Sequence, residues 1–425
     1  MEELSGELAY LFRHPLLREA AYQLQLPSSR ARLHGLVLAI LEGVLNADQT
    51  AENPRLAAAA AELADHALAA QNLKSLKKEA RQKLAQSEVR YRMLAAAWAA
   101  KMTDLRGAVT QYEKIKAQKL AGEKDAAIAR WHLGVRQTAL GLLPAAFENL
   151  QEALVRARKL GDEILQTSVE LELGNLELAR GQPDAAMQLF TRALAAARAA
   201  QNAKLESVAL GGLAGIAYRK FEYANAVQGY RDALAASERA GDSTNRMIHL
   251  TNVANALYQA EFPVEGLAMA KQACEQALAH GLIRLHVIAR TNYATFLEDA
   301  GRIDEAQAEV EIAEREAERV GTQFSAGLRM DLRARIEMRK RNWEAASQWL
   351  VRGLDASRET GQVFEEARCH ARLAVVLAHM GRKEEATVEW DTARTQFDAL
   401  HSPELGGKLT ESFNEAMKSA YDIRQ

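Results

Sequence analysis

The sequence predicts an all-α protein, an α-solenoid of about eight or nine antiparallel helix pairs, and three observations predict it. The first is size and composition: 425 residues exceed the roughly 250 to 300 at which a single core stops growing. Alanine fills long stretches and proline occurs only seven times, as suits helices and little strand. The second is a period of forty. Gly161, Gly241, Gly281, Gly321 and Gly361 mark one grid of helix ends, with Gln201 and His401 at its remaining positions; Gly141, Gly181, Gly301 and Gly381 mark a second. The third is that small residues hold the same register. One column reads Ala146, Ala186, Ala226, Gly266, Ala306, Ala346, Ala386, and another reads Gly134, Gly174, Ala214, Ala254, Ala294, Ala334, Ala374. Helices approach closely only where no bulky group intervenes, so these columns mark helix contacts.

The elements follow in chain order. In residues 1–45, Tyr10, Leu11 and Phe12 form a short apolar run compatible with a strand, and Pro15 opens a helix carrying Leu16, Leu17, Ala20, Ala21 and Leu24. Pro27, Ser28 and Ser29 break and cap; Leu33, Leu36, Val37, Ile40 and Leu41 mark the apolar face of a second helix. Residues 46–125 repeat less regularly: AAAAAELADHALAAQN ends a helix near Asn72, LKSLKKEARQKLAQSEVRYRML reads as its partner or as the start of the next pair, and AAAWAAKMTDLRGAVTQYEKIKAQKLAG fits one more unit. Residues 126–400 hold seven forty-residue units, each a helix, a turn, a second helix and a longer turn. Pro144, Pro183 and Pro263 fall in the first turn of second helices, where a missing N–H costs nothing. Leu150, Phe190, Tyr230, Val310, Leu350 and Trp390 supply one large knob per unit, and Ala270 in the same column leaves the fourth underfilled. Residues 401–425 carry one helix, LTESFNEAMKSAYDI, suited to capping the array.

Segments such as LGVRQTALGLLPAAFENLQEAL and LGNLELARGQPDAAMQLFTRAL resemble tetratricopeptide (TPR) repeats, in a long-helix subclass whose forty-residue unit exceeds the usual ~34. The resemblance implies a right-handed superhelix with a groove lined by the first helix of each pair. It implies groove positions at Asn175, at Gly211, Gly215 and Tyr218, at Asn252, Asn255 and Tyr258, at Asn292, Thr295, Glu298 and Asp299, and at Arg335 and Arg339. The N-terminal segment YLFRHPLLREAAYQLQLPSSRARLH resembles the join between the winged-helix part of STAND-type signal-transduction ATPases and their TPR arms, also found in related kinase and cyclase fusions. Phe12, His14, Leu17, Arg18, Ala21, Tyr22, Arg30, Leu33 and His34 match as they stand. The other reading of residues 1–45 is a cap for the solenoid.

Function is bounded by charge and by what is missing. With 54 Lys and Arg against 56 Asp and Glu, no broad field steers the chain to nucleic acid or anionic lipid. No leader or long apolar run appears, so a cytoplasmic protein without a membrane partner is expected. Cys274 and Cys369 read as core residues; the ten histidines read as ordinary surface or interface residues; no metal, cofactor or phosphate loop is indicated, and no enzyme. The recurring asparagines admit two readings. Amides that donate and accept at once suit an extended peptide; alternatively they satisfy one another or hold water. The expected function is a protein- or peptide-binding scaffold, the sensor arm of a bacterial signal-transduction protein whose ATPase, kinase or cyclase domain is attached or separate. The alternative is a self-association module, which light scattering across a concentration series would separate.

Overall fold

The computed structural model describes residues 19, 22–47, 53–102, 104–321, 325–399 and 407–422, and among them stand nineteen complete helices and no strand. The chain divides into two compact units, Met1–Val169 and Glu170–Gln425. The first holds α1 (Pro27–Val44), α2 (Pro54–Ala70), α3 (Lys78–Lys101), α4 (Leu105–Ala117), α5 (Glu123–Ala139), α6 (Leu143–Leu160) and the start of α7 (Glu163–Ala179). The second continues with α8 (Pro183–Ala199), α9 (Ala203–Arg219), α10 (Tyr223–Arg239), α11 (Ser243–Gln259), α12 (Pro263–Ala279), α13 (Ile283–Asp299), α14 (Ile303–Arg319), α15 (Ala326–Arg339), α16 (Trp343–Thr360), α17 (Val363–His379), α18 (Lys383–Ala399) and α19 (Gly407–Asp422).

The forty-residue period is a period of one turn geometry. Every grid glycine has positive φ, between 63° and 78°. So do the non-glycine residues on the same grids, Gln201, Phe221, Glu261 and Arg341, at 52° to 65°. Most of these turns close like Gly161, whose N–H donates to the Arg158 carbonyl at 3.1 Å while that of Asp162 donates to Ala157 at 3.1 Å. That double bond satisfies the carbonyls a helix end would leave orphaned. Phe221 and Glu222 repeat it on Tyr218 and Ala217, so the backbone imposes the left-handed residue even where a side chain costs about 1 kcal/mol. Asp162, Asn202, Asp242 and Asn342 then cap the following helices, each accepting from a backbone N–H three residues on.

The knob column is the core. Leu150, Phe190, Val310 and Leu350 are fully buried, and the small column makes their sockets. A Cβ on Gly134 would stand 2.5 Å from Leu150, and one on Gly174 2.6 Å from the Phe190 ring. Ala270 does not leave its unit underfilled. The rings of Tyr258 and Phe296 stack at 4.0 Å and pack with Ala254 and Ala270, filling the volume a larger knob would take.

From α8 to α18 each helix packs on the next, and the first helices α9, α11, α13, α15 and α17 also touch one another in succession. Their shared face is where neighbouring pairs crowd together. At the end of the chain α19 packs on α17 and buries Phe413 and Ala416.

The N-terminal region departs from expectation twice. The face α1 buries contains Ala31 and Leu38, with Leu41 and Leu45 packed beside them, whereas Leu33, Leu36 and Ile40 are exposed. Leucine carries two apolar stripes around this helix, and the one that docks is the one whose small member, Ala31, admits close approach. Next, α3 is a single 24-residue helix that runs through the boundary drawn between two units. Tyr10–Phe12, Pro15, Leu16, Leu17 and the matched residues Phe12, His14, Arg18 and Ala21 lie outside the described residues; of the rest, the Tyr22 hydroxyl and His34 Nε2 are hydrogen-bonded at 2.9 Å.

Candidate functional site

The shared face of α11, α13, α15 and α17 gathers most of the groove residues. Asn292 Nδ2 donates to Asn255 Oδ1 at 3.3 Å across the two helices. This satisfies half of each amide: the Asn255 N–H group and the Asn292 carbonyl keep no partner among the described residues, one donor and one acceptor side by side. Asn252 lies half-buried one turn earlier on α11 and makes no side-chain hydrogen bond among the described residues. Next along α13, Thr295 donates back to the Thr291 carbonyl at 2.9 Å, which leaves its hydroxyl only as an acceptor. The Tyr258–Phe296 stack follows, with the Asp299 carboxylate near the Tyr258 hydroxyl. Burial and the nearby Asp299 carboxylate push Tyr258 up to about 12, so it is a neutral donor at any working pH.

Beyond the aromatic pair the face becomes ionic. Glu298, a groove position in the sequence, is only 1% exposed. Arg335 pairs with both Glu298 and Asp299, and Arg339 Nε donates to Glu298 Oε1 at 2.8 Å. One helix pair further, the buried Asp331 lies against Arg368 and, at 2.6 Å, Arg372 Nε. Burial alone would raise the Asp331 carboxyl; Arg372, Arg368 and Arg335 outweigh it and hold it below the usual carboxylate range. Burial lowers Arg372, and the neighbouring Arg335 and Arg368 lower it further against the pull of Asp331. Removing one member of such a group leaves an uncompensated buried charge, so the pairs are mutually dependent. Sequence reasoning found Glu298, Arg335 and Arg339 but missed Asp331, Arg368 and Arg372; the i, i+4 spacing of the two arginine pairs was the available signal.

Asn175 does not join this face. It is on α7, where its amide donates to Glu172 at 3.1 Å in an exposed setting. Gly211 and Gly212, in the corresponding register of α9, are sockets: a Cβ on Gly211 would stand 2.4 Å from the His249 ring and one on Gly212 2.6 Å from Phe190.

Three of the histidines lie in the core, while His280 and His379 are exposed. His249, His286 and His370 are buried, and burial holds His132 and His249 down at about 4. His249 Nε2 lies 2.9 Å from the Ser207 hydroxyl, the arrangement a nucleophile and its base require. Its polarity is wrong for that role. The Ser207 hydroxyl donates to the Ala233 carbonyl at 3.0 Å, so Nε2 must carry the proton and donate to Ser207, leaving Nδ1 without a partner. Both side chains are also sealed from solvent. Burial pushes the Cys274 thiol up to about 12 and raises Cys369 as well, so neither is a reactive thiolate.

The turn period, knob-and-socket register and first-helix face define an α-solenoid of the tetratricopeptide-repeat type. No family model matches the chain, and no curated protein matches it in sequence. The likeness is to solved structures. A Rap protein complexed with competence and sporulation factor superposes with a TM-score of 0.60 at 13% identity, covering 88% of this chain and 99% of that one. A STAND signal-transduction ATPase with a tetratricopeptide-repeat sensor from Pyrococcus horikoshii gives 0.55 at 13% identity, covering 83% of this chain and 57% of that one. Aspartyl phosphate phosphatase F from Bacillus subtilis gives 0.53 at 10% identity, covering 87% and 93%. At these identities the likeness establishes the fold. Among the described residues no helix is long and apolar enough to cross a membrane.

Proposed function

We propose that the chain is a recognition arm that binds a peptide or protein segment in extended form along the shared face of α11, α13 and α15. The observation that carries this reading is the Asn255–Asn292 pair. Asparagine is a poor helix former and needs a reason to recur mid-helix, and this pair leaves free one N–H and one C=O, the complement of a single peptide unit. The stacked Tyr258 and Phe296 beside it offer a rigid apolar neighbour for a ligand side chain. The fold neighbours support the reading by analogy: one Rap structure holds competence and sporulation factor, and the STAND protein uses repeats of this type as its sensor. On that analogy residues 126–400 form the sensing array, residues 1–45 a join or cap, and an attached or separate ATPase, kinase or cyclase domain the output.

The test is a double substitution, Asn255→Ala with Asn292→Ala. Partner capture should fall at least about tenfold, as for loss of one or two hydrogen bonds to a desolvated backbone, while the thermal midpoint stays within a degree or two. A drop of several degrees with capture intact would assign the amides to the fold instead.

A further inference from the structure

We propose that one edge of the N-terminal unit is a basic docking surface that holds the chain against an anionic phospholipid bilayer. The whole-chain balance of 54 Lys and Arg against 56 Asp and Glu gave no expectation of such a partner, because it averages over a local field. Nine of the seventeen lysines fall in residues 74–124, and residues 74–119 hold twelve Lys and Arg against four Asp and Glu. This surface belongs to the unit Met1–Val169 and does not depend on the groove.

The fold gathers the unpaired part of that charge. An antiparallel stack puts every second turn on one edge, so the turn from α2 to α3 and the turn from α4 to α5 are neighbours. Gln82 Nε2 donates to the Leu120 carbonyl at 2.9 Å, and Gln118 Nε2 donates to Gln71 Oε1 at 3.3 Å. Arg81 holds the first turn by donating to the Gln71 and Leu73 carbonyls, each at 3.2 Å. Lys74, Lys77, Lys78, Lys83 and Lys119 are exposed on or near this edge and make no ion pair or hydrogen bond among the described residues. Lys114 and Lys124, by contrast, pair with Asp65 and Asp162. The acids beside the free lysines are Glu79 and Asp125, since Glu123 is spent on Arg156.

Two of these lysines stand against local preference. Lys77 is the N-cap of α3 and makes no capping bond, and Lys78 opens its first turn. Backbone N–H groups make that end of a helix positive and disfavour a cation there. A choice that works against its own helix points to an anion outside the chain.

Apolar residues on the same edge favour a bilayer over a nucleic acid. α1 runs antiparallel to α2: Asn53 donates to the Leu45 carbonyl at one end, and the His34 and His66 rings meet towards the other. The start of α1 therefore lies at the lysine edge. Leu24 and Leu26 are 87% and 70% exposed there, and Leu120 is 36% exposed. Lysines interleaved with exposed leucine suit the boundary between headgroups and acyl chains. Nucleic-acid sites draw on arginine forks and stacking aromatics, whereas the five free cations here are all lysine.

Vesicle co-sedimentation of the full chain tests this, with phosphatidylcholine alone and with phosphatidylcholine mixed equally with phosphatidylglycerol. Only the mixed vesicles should carry the protein down, and high salt should release it, because the field of exposed charges already decays within about 8 Å at physiological ionic strength. A lysine near an anionic surface is worth about a fivefold change in binding. Lys77→Gln with Lys78→Gln should therefore weaken binding at least about tenfold, whereas Lys77→Arg with Lys78→Arg should keep it, and neither pair should move the thermal midpoint. No sedimentation with mixed vesicles at low salt, equal binding to both vesicle types, unchanged binding of the glutamine pair, or loss in the arginine pair as well would overturn the proposal. So would a duplex DNA oligonucleotide that binds more tightly than the mixed vesicles at equal phosphate, an outcome that would assign the edge to nucleic acid.

Discussion

Helices α9 and α13 occupy the same place in the period, eighty residues apart, and do opposite things with it. Gly211, Gly212 and Gly215 of α9 correspond to Thr291, Asn292 and Thr295 of α13. In α9 the missing side chains admit rings from both neighbours, Phe190 against Gly212 and His249 against Gly211. In α13 the position carries the amide that reaches Asn255. The knob column explains how both fit. Phe190 needs glycine at 174 and 212, whereas the smaller Ala270 tolerates Ala254 and Asn292 at the corresponding places and leaves room for the Tyr258–Phe296 stack. A knob traded down in size therefore frees volume on the first-helix face, and the proposed site occupies that volume.

The largest effect expected from this contrast is at Phe190. Phe190→Ala should cost about 3–5 kcal/mol, because the ring is fully buried and its two glycine sockets cannot close around an alanine. Urea unfolding would measure it, and a cost below about 1 kcal/mol would mean that α9 is not a socket.

His249, the other ring against α9, should make stability depend on pH. Its folded value of about 4 lies below the ordinary 6.5, so the unfolded chain takes up the proton first. The contribution is whole above pH 6.5 and is lost as pH falls toward 4, by up to about 3 kcal/mol. Urea midpoints at pH 7.5 and 4.5 should differ less in His249→Gln than in the parent chain. An unchanged pH dependence would show that the ring is not held neutral in its socket.

The smallest effect is expected at Ala270. Ala270→Phe should destabilise by about 1–3 kcal/mol through overpacking, and it should displace the Tyr258–Phe296 stack, read as a change in near-ultraviolet circular dichroism. If the substitution were instead neutral or stabilising, the unit would be underfilled after all, and the exchange of volume between knob and face would fail.

Much of the fold was legible because its signals are local. A left-handed residue closing a helix favours glycine, so most turns announced themselves at Gly141, Gly181 and their equivalents. Phe221, Glu261 and Arg341 adopt the same conformation without that signal, and the sequence reading did not name them. The site was legible by residue type at Asn255, Asn292, Tyr258 and Arg339. Its buried half was not, because Asp331 is paired with arginines 37 and 41 residues away, and a carboxylate's partners leave no trace in its own neighbourhood.

The sequence by itself determined the helical class, the forty-residue repeat and the spacing of knobs and small residues, since each follows from periodicities written along a few turns of chain. The tertiary structure alone decided which of two leucine stripes on α1 is buried, that a stacked aromatic pair replaces the missing knob at Ala270, and that Glu298 and Asp331 are neutralised by arginines from neighbouring repeats. Those outcomes depend on which surfaces meet, and burial and charge pairing are properties of the meeting rather than of either strand of sequence.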